Sequence, residues 1–349
     1  SSVKFSGGDA AAHSSTSLGA ADIEGLRITS VKDLTAIAPN YYQPDYGSRM
    51  TSSIYVRGFG SRIDQPVVGM NIDDVPVLNK ICYDAELFDL ARIDVLRGAQ
   101  GVLYGRNTSG GAINLYTMSP LNFQGKRFTL EYGSANNVRV KASHYAAPSN
   151  RFGWAVSLLY NHSDGYFMNK ELGKNCDGGD NGALRLRLQW LPGDDWSIDN
   201  TLSAGYTAEG GWAYRHYNPA DKSLAPVAYN DECSYKRFNI SEGLVVKRAF
   251  DWGAISSTTG YQYVDDRMRL DNDFLPLIGP EGLKETVFMF KALKDLNWKG
   301  VLEYDCHMLR AEGDPCNADE CRMQFIRNSV EATEIAIKLA DRIQVPDMR

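Results

Sequence analysis

Hydrophobic and polar residues alternate with a period of two from about residue 126 onward, which is typical of β-strands with one apolar face. The clearest run is 183–190, where leucines and a tryptophan alternate with Arg185, Arg187 and Gln189. Similar alternation is found at 127–133, 137–143, 154–162, 196–206 and 255–264. The pattern predicts six or seven antiparallel strands that share one apolar and one polar face.

The cationic face of these strands limits where they can lie. A cation at a lipid-facing midplane position would cost ~2–4 kcal/mol, so in a membrane barrel this face must look into the lumen or toward a plug. A soluble sandwich would alternate in the same way, with its polar face in bulk water. Short turns at 136 and 149–150 alternate with long polar loops at 163–181 and 207–233, an asymmetry typical of transmembrane barrels.

The preceding residues predict a small mixed α/β domain. Ser30 followed by Asp33 predicts a helix N-cap, and Pro39 ends that helix. Short strands are predicted at 53–57, 67–73 and 93–96, with a helical turn near 84–90. We therefore expect a polar N-terminus at 1–16 and a globular domain at 17–122.

A glycine-rich loop lies between the apolar strands 93–96 and 112–116. Its glycines are Gly98, Gly101, Gly105, Gly110 and Gly111, and they allow positive φ angles and close packing in a compact strand–turn–strand unit. A phosphate-binding loop would need a closing Gly-Lys-Ser/Thr and a following helix. Neither is present.

This segment resembles the plug-domain signature of TonB-dependent outer-membrane receptors. The resemblance runs from Leu-Arg-Gly at 96–98 to Asn-Thr-Ser-Gly-Gly-Ala-Ile-Asn at 107–114. Upstream, 56–59 and 70–77 resemble two further plug strands, with Asp74 where glycine is usual and Ala99 where proline is frequent. The resemblance covers about 17–275. It implies an α+β plug domain, followed at 123–275 by the antiparallel β strands of an incomplete transmembrane β-barrel, about the first third of 22 strands.

The resemblance also implies a function. Such receptors lie in the outer membrane of Gram-negative bacteria, bind a scarce nutrient such as an iron chelate, a cobalamin or a glycan, and are powered by a TonB partner, without a cofactor or catalysis. Arg57 and Arg97 match plug arginines that tether the plug to barrel-wall carboxylates; those carboxylates would come from later strands. The plug motif comprises Gly58, Phe59, Gly98, Gly101, Tyr104, Gly105, Asn107, Gly110 and Gly111.

Ligand contacts are expected from the apical loops of the plug and from aromatic residues in the long loops. The candidates are Arg62, Gln65, Tyr83, Trp212 and Tyr214. Exposed aromatic side chains commonly mark binding surfaces. The aromatic girdles at the two membrane interfaces would use the same residue types.

The pattern changes again after Pro276. Helices are predicted at 281–296 and 319–342 with a strand at 301–305 between them, an α/β arrangement foreign to an antiparallel barrel. Residues 302–312 resemble the C-terminal part of xylose-isomerase-type sugar isomerases, which are TIM barrels, and this resemblance implies a divalent metal ligand at Asp305. The alternatives for the whole chain are therefore a metal-dependent sugar isomerase fragment, a chimeric non-functional chain, or a plug-like binding module without a barrel.

The composition of the chain limits the kinds of partner that it can bind. A net charge of −6 over 349 residues argues against nucleic acid, and no stretch approaches the ~20 apolar residues of a membrane helix. The 19 tyrosines and 6 tryptophans suit contact with outer-membrane lipid. Neither a signal peptide nor a TonB box is visible in 1–17, so we expect a mature or truncated start.

Six cysteines are too scattered for a disulfide scaffold. Cys176 and Cys233 fall in predicted loops, where they could pair in an oxidising compartment or remain free thiols.

Overall fold

The computed structural model describes residues 14–47, 49, 53–62, 65–84, 86–215 and 217–271. The chain divides into two compact units, 1–274 and 275–349, and every described residue belongs to the first. The predicted helix–strand–helix tail with Asp305 lies outside the described residues. Within these ranges, no helix is long and apolar enough to cross a membrane.

The elements up to residue 117 form a mixed α/β domain, which we call the plug. They are β1 (Ser14–Gly19), α1 (Ala20–Gly25), the 3-10 helix Val31–Ala36, β2 (Tyr41–Tyr42), β3 (Tyr55–Val56), β4 (Phe59–Gly60), β5 (Val68–Ile72), β6 (Val75–Pro76), the 3-10 helix Lys80–Asp84, β7 (Leu90–Arg97), α2 (Gly101–Tyr104) and β8 (Gly111–Thr117). A five-stranded sheet has the order β1-β7-β8-β5-β6, and β2, β3 and β4 form a small second sheet. Only β5 and β8 pair in parallel within these two sheets.

The core of the plug lies between its main sheet and its short helices. Val31, Leu34, Ile93, Val95 and Ile113 have no exposed surface, and they belong to one apolar cluster. Full burial of such side chains contributes about 1.5–3 kcal/mol each. The plug sheet and the helical segments before it are therefore held together mainly by hydrophobic packing.

Two predicted helices of the plug differ from the observed ones. Ser30 caps a 3-10 helix as its sequence predicts, with the Asp33 carboxylate returning to the Ser30 backbone, but the helix ends at Ala36. The helical turn expected at 84–90 instead spans Lys80–Asp84. Leu87 is buried outside any helix, and its N–H donates to the carbonyl of Thr29. Tertiary packing therefore replaces the helical turn at this position.

From Gly125 onward the chain is a succession of strands joined by turns and loops. They are β9 (Gly125–Tyr132), β10 (Val138–Ser149), β11 (Phe152–Ser163), β12 (Met168–Asn169), β13 (Lys174–Asn175), β14 (Gly179–Trp190), β15 (Trp196–Glu209), β16 (Tyr217–Asn218), β17 (Ser223–Leu224), β18 (Ser234–Phe250) and β19 (Gly253–Arg269). Seven of them form one antiparallel sheet, β19-β18-β15-β14-β11-β10-β9, which we call the wall. The hairpins β12–β13 and β16–β17 lie in the two long loops.

The wall confirms the predicted alternation and adds one strand, β18, that the pattern had not singled out. Leu184 and Trp190 are about half exposed on one face. On the other face, Arg185 donates to the carbonyl of Phe88 and Arg187 to that of Thr117, both in the plug. The polar face of the wall therefore looks toward the plug, which is one of the two arrangements predicted for a barrel.

Candidate functional site

Six charged side chains meet between the plug and the wall. We call them the charge cluster: Arg49, Asp84 and Glu86 of the plug, with Arg139, Glu209 and Arg237 of the wall. Arg237 Nη1 lies 2.9 Å from Asp84 Oδ1, and the two oxygens of Glu86 lie 2.5 Å from Arg49 and Arg139. Three cations and three carboxylates balance, so the buried charges compensate one another.

Arg49 links the carboxylates of the two domains. Its Nε lies 3.1 Å from Glu209 Oε2, and its backbone N–H donates to Glu209 Oε1 at 3.0 Å. Burial acts to lower the pKa of Arg49, but the surrounding carboxylates, Glu86 foremost, raise it further, and the net direction is upward. Arg49 is therefore a permanent cation that bridges plug and wall.

A second ionic contact fastens the β5–β6 turn to the wall. The carboxylate of Asp73 accepts hydrogen bonds from Thr117 N (2.9 Å) and Thr117 Oγ1 (2.6 Å). Arg187 Nη1 lies 3.2 Å from Asp73 Oδ1, while its Nη2 lies 2.6 Å from Asp199 on the next wall strand. Because Asp73 and Arg187 are both buried, this contact is a strong anchor for the turn.

The tip of the same turn fits against β18 and β19. Asp74 adopts a positive φ of 68°, which aspartate tolerates, and its carboxylate lies 2.7 Å from Lys247 Nζ. The next residue, Val75, packs over Gly243, where an added Cβ would lie 2.5 Å from Val75 Cγ2. Gly243 is therefore required by close approach of the plug.

Two cavities flank this turn. One of about 120 Å³ lies between Ile72 and Val75 of the plug and Gly205 of the wall. The other, of about 510 Å³, is lined by Asp74, Arg92 and Lys247 among others. The β5–β6 turn separates these two spaces along the inner side of the wall.

An aromatic surface that includes the Arg62 guanidinium lies on the side of the long loops. The Tyr214 hydroxyl donates to the carbonyl of Tyr46 at 2.6 Å, and the Arg62 guanidinium lies 4.8 Å from the centre of the Tyr46 ring. The rings of Tyr42 and Tyr55 lie 6.3 Å apart in the adjoining small sheet. Such a surface suits a ligand with apolar or aromatic parts and negative charge.

The five predicted ligand residues divide by burial. Arg62 and Gln65 are exposed, and Tyr214 is 39% exposed. Tyr83 is buried in the plug core, and Trp212 is buried beneath the long loops. Because Tyr83 and Trp212 are buried, their rings are not available to a ligand at the surface. Of the five predicted residues, the structure brings Arg62 and Tyr214 together on the exposed surface.

The two predicted tether arginines have different surroundings. Arg57 is exposed, and its guanidinium lies close to Gly98. Arg97 is buried and donates to Ser14 Oγ at 2.9 Å and Thr16 Oγ1 at 2.6 Å, both on β1. Among the described residues neither forms a salt bridge with the wall, and the tether stays a prediction about carboxylates of later strands.

The plug motif forms two turns. Gly58 and Phe59 lie at the β3–β4 turn; Gly98, Gly101, Tyr104, Gly105, Asn107 and Gly110 lie between β7 and β8, and Gly111 begins β8. A Cβ on Gly111 would lie 2.5 Å from the carbonyl oxygen of Leu96. Gly111 therefore allows β7 and β8 to meet closely.

Sequence reasoning missed the charge cluster. Arg139 occupies a polar position of a predicted strand, which was a usable signal, but Arg237 lies on the unpredicted β18. Asp84 and Glu86 look like ordinary polar residues beside a helical turn. Asp84 and Arg237 are separated by 153 positions, and no local pattern joins them.

Comparison with known proteins supports this architecture. Residues 9–112 match the family described as TonB-dependent Receptor Plug Domain. The chain is 28% identical over 212 residues to the pesticin receptor of Yersinia pestis, covering 59% of this chain and 31% of that protein. It is 28% identical over 252 residues to the vitamin B12 transporter BtuB of Vibrio vulnificus, covering 68% of this chain and 40% of the transporter.

A similar fold is found in the crystal structure of the ferric yersiniabactin uptake receptor FyuA from Yersinia pestis. The TM-score is 0.65 at 24% identity, and the match covers 73% of this chain and 41% of FyuA. The chain thus spans about a third of the length of the pesticin receptor.

The fold and the matches agree. Residues 9–112 are similar to the plug domain of TonB-dependent receptors, and the antiparallel strands that follow resemble part of the barrel of such a receptor. The expected localisation in the outer membrane of a Gram-negative bacterium is confirmed by these similarities. The matched proteins are receptors and transporters, in agreement with the expectation that this part of the chain is not an enzyme.

Proposed function

We propose that the chain is the plug-bearing part of a TonB-dependent outer-membrane receptor that takes up a scarce nutrient. One observation carries the proposal: a plug-type domain is fastened to the polar face of an antiparallel wall by buried ion pairs, Asp84–Arg237 and Asp73–Arg187 foremost. The names of the relatives favour an iron chelate or a cobalamin as the ligand class, with a glycan as a further candidate.

The ligand binds the surface formed by Tyr46, Arg62 and Tyr214. These side chains lie where the long loops meet the plug, and the long-loop side of such a barrel faces outward. A cation beside exposed tyrosine rings suits an anionic chelate better than a neutral glycan.

The plug acts as the gate. β1 lies at the edge of the plug sheet and pairs with β7, so a TonB partner pulling on the segment before Ser14 would act first on this pairing and on the Arg97 hydrogen bonds to β1. The β5–β6 turn, which separates two cavities along the wall, would then have to move to join them. Lipid contacts the opposite face of the wall, where Leu184 and Trp190 are exposed.

Uptake by a strain that lacks the gene tests the proposal. The complete receptor, supplied on a plasmid, is expected to restore uptake of radiolabelled iron chelate or cobalamin, and a TonB-deficient strain is expected to bind ligand without accumulating it. Arg62→Ala and Tyr214→Ala should weaken binding. The matched control is Arg151→Ala, an exposed arginine on a short turn of the wall. Absence of binding and uptake for iron chelates, cobalamins and glycans would overturn the proposal.

The alternatives concern the tail and the junction near Pro276. A sugar isomerase fragment predicts aldose turnover with magnesium, manganese or cobalt and its loss in Asp305→Ala; no turnover would exclude it. A chimeric chain predicts that a single genomic DNA read across codons 260–300 reproduces this junction and this tail. A read that continues into further alternating strands would instead indicate an ordinary full-length receptor. A plug-like module predicts that residues 17–122 alone are soluble, monomeric and folded.

A further inference from the structure

A second apolar cluster lies between the two long loops, outside the plug core. Its buried members are Cys176, Trp212, Val227, Tyr229, Cys233 and Tyr235. The loop 163–178 contributes Cys176, and the loop 210–233 contributes Trp212 and Cys233. The cluster therefore joins two loops that the wall strands alone would leave separate.

The two loops are already in close backbone contact at Cys176. The N–H of Gly211 donates to the Cys176 carbonyl at 2.6 Å. Cys233 lies directly before β18, and its sulfur accepts a hydrogen bond from the N–H of Asp271 at 3.3 Å. Each cysteine is thus held by its backbone surroundings, and each side chain is buried in the same cluster.

Both thiols converge on one hydroxyl. The side chain of Tyr229 is hydrogen-bonded to Cys176 and to Cys233, and the same hydroxyl donates to the carbonyl of Gly211 at 3.3 Å. Two buried thiols therefore share one phenol, which has a single proton to donate. The three groups lie in immediate proximity, although Cys176 and Cys233 are separated by more than fifty positions of sequence.

We propose that Cys176 and Cys233 form a disulfide in the exported protein, tying the two long loops together. The inference takes from the proposed function only the outer-membrane localisation, which requires passage through an oxidising periplasm. The oxidant is a thiol–disulfide oxidase of that compartment: one thiolate attacks the enzyme's disulfide, and the second thiolate resolves the mixed disulfide. Two protons and two electrons leave the pair, one S–S bond forms, and the oxidase becomes a dithiol.

The surroundings accommodate the bond. Once the sulfurs are joined, the Tyr229 hydroxyl keeps the Gly211 carbonyl as its acceptor, so oxidation leaves no buried polar group without a partner. Both cysteine side chains are already buried in the cluster as free thiols, so the bond buries no additional polar surface. The bond would close a loop containing β14, β15 and the β16–β17 hairpin, and it would restrain the segment that carries Trp212 and Tyr214.

Peptide mapping without reductant tests the disulfide. Outer membranes are denatured in the presence of N-ethylmaleimide, which blocks free thiols, and then digested with trypsin. Cleavage after lysine and arginine places Cys176 in 175–185 and Cys233 in 223–236. The expected product is these two peptides joined by a disulfide, with two hydrogens fewer than their sum, and it should disappear with dithiothreitol.

Cysteine variants provide the controls. Cys233→Ser should leave peptide 175–185 alkylated, while Cys82→Ser, which changes a buried thiol of the plug, should leave the linked peptide unchanged. Recovery of 175–185 and 223–236 as separate maleimide adducts, or linked to other cysteines, would overturn the proposal. Because this readout does not depend on uptake, a receptor that transports nothing yet contains the linked peptide would count against the proposed function alone.

Discussion

Removal of the Asp84 carboxylate is the sharpest test of the plug–wall interface. Asp84 and Arg237 are 3% and 5% exposed, and two contacts of 2.9 Å and 3.2 Å join them. In Asp84→Ala the guanidinium stays buried beside Ile81, whose carbonyl remains as its acceptor. The variant therefore leaves a buried cation without its closest counter-charge.

The expected magnitude follows from this geometry. Removing one partner of a buried ion pair costs about 3–5 kcal/mol, and the remaining Ile81 acceptor places Asp84→Ala near the lower end. A loss of about 3 kcal/mol corresponds to a rise of roughly 10²-fold in the population in which residues 80–84 detach from the wall. The replacement removes little apolar volume, so the effect is mainly electrostatic.

The labelling rate of Cys82 measures how often residues 80–84 detach from the wall. Cys82 is buried in the same 3-10 helix, and burial raises the pKa of its thiol to about 11. Maleimide labelling of the folded receptor, quantified on tryptic peptide 81–92, should be very slow in the parent chain and roughly 10²-fold faster in Asp84→Ala. Labelling follows the open population when opening and closing are fast relative to the reaction.

Two further variants make the result interpretable. Asp84→Ala combined with Arg237→Met should recover most of the protection, because the double change removes the unpaired charge. Asp194→Ala breaks an exposed pair with Arg151 and should leave Cys82 labelling unchanged. Equal labelling of Cys82 in the parent chain and in Asp84→Ala would refute the view that buried ion pairs hold this segment in place.

Three other predictions follow from the same interface. Gly243→Val should displace the β5–β6 turn from the wall, because the new side chain would clash with Val75. The plug of this variant should be digested faster by protease than the plug of the parent chain, and adding Val75→Gly should restore the parent rate. An unchanged rate of proteolysis in Gly243→Val would contradict the packing argument. Asp73→Ala should lower plug stability by about 1–3 kcal/mol, since Thr117 loses its acceptor and Arg187 keeps only Asp199 as a carboxylate partner. Asp74→Ala should cost less, because its carboxylate is 39% exposed. Hydrogen exchange of β5 compares the two variants, and equal effects would count against burial as the cause. The ratio of Cys82 labelling rates between Asp84→Ala and the parent chain should stay about constant from pH 7 to 9, because burial raises the pKa of the thiol in the closed segment to about 11 and both chains react through the same open state. A ratio that falls toward one at pH 9 would show that the thiol ionises and reacts without opening.

Much of the wall could be predicted from local pattern. Arg185 and Arg187 alternate with leucines because one face of the strand is exposed and the other meets the plug. The strand β18 escaped prediction because Glu242 falls between Ile240 and Leu244, on the face of the strand that is otherwise apolar. Gly243 is explained by the approach of Val75 from another domain.

The candidate site was predicted less completely. Arg62 and Tyr214 lie together near the long loops, while Tyr83 faces the plug core. An aromatic residue in a short turn carries no sequence signal that separates a core side chain from a surface one, since burial depends on what packs against the turn.

The sequence by itself determined the local elements of this protein: the capped turn at Ser30, the glycine-bounded β7–β8 unit, and strands with one apolar face. These follow from backbone conformation and from a period of two, which are properties of neighbouring residues. Only the tertiary structure decided which charges meet. Asp84 pairs with Arg237, and Asp73 with Arg187, because removal from water makes an unpaired charge costly, and the partner is whichever opposite charge the fold brings within reach.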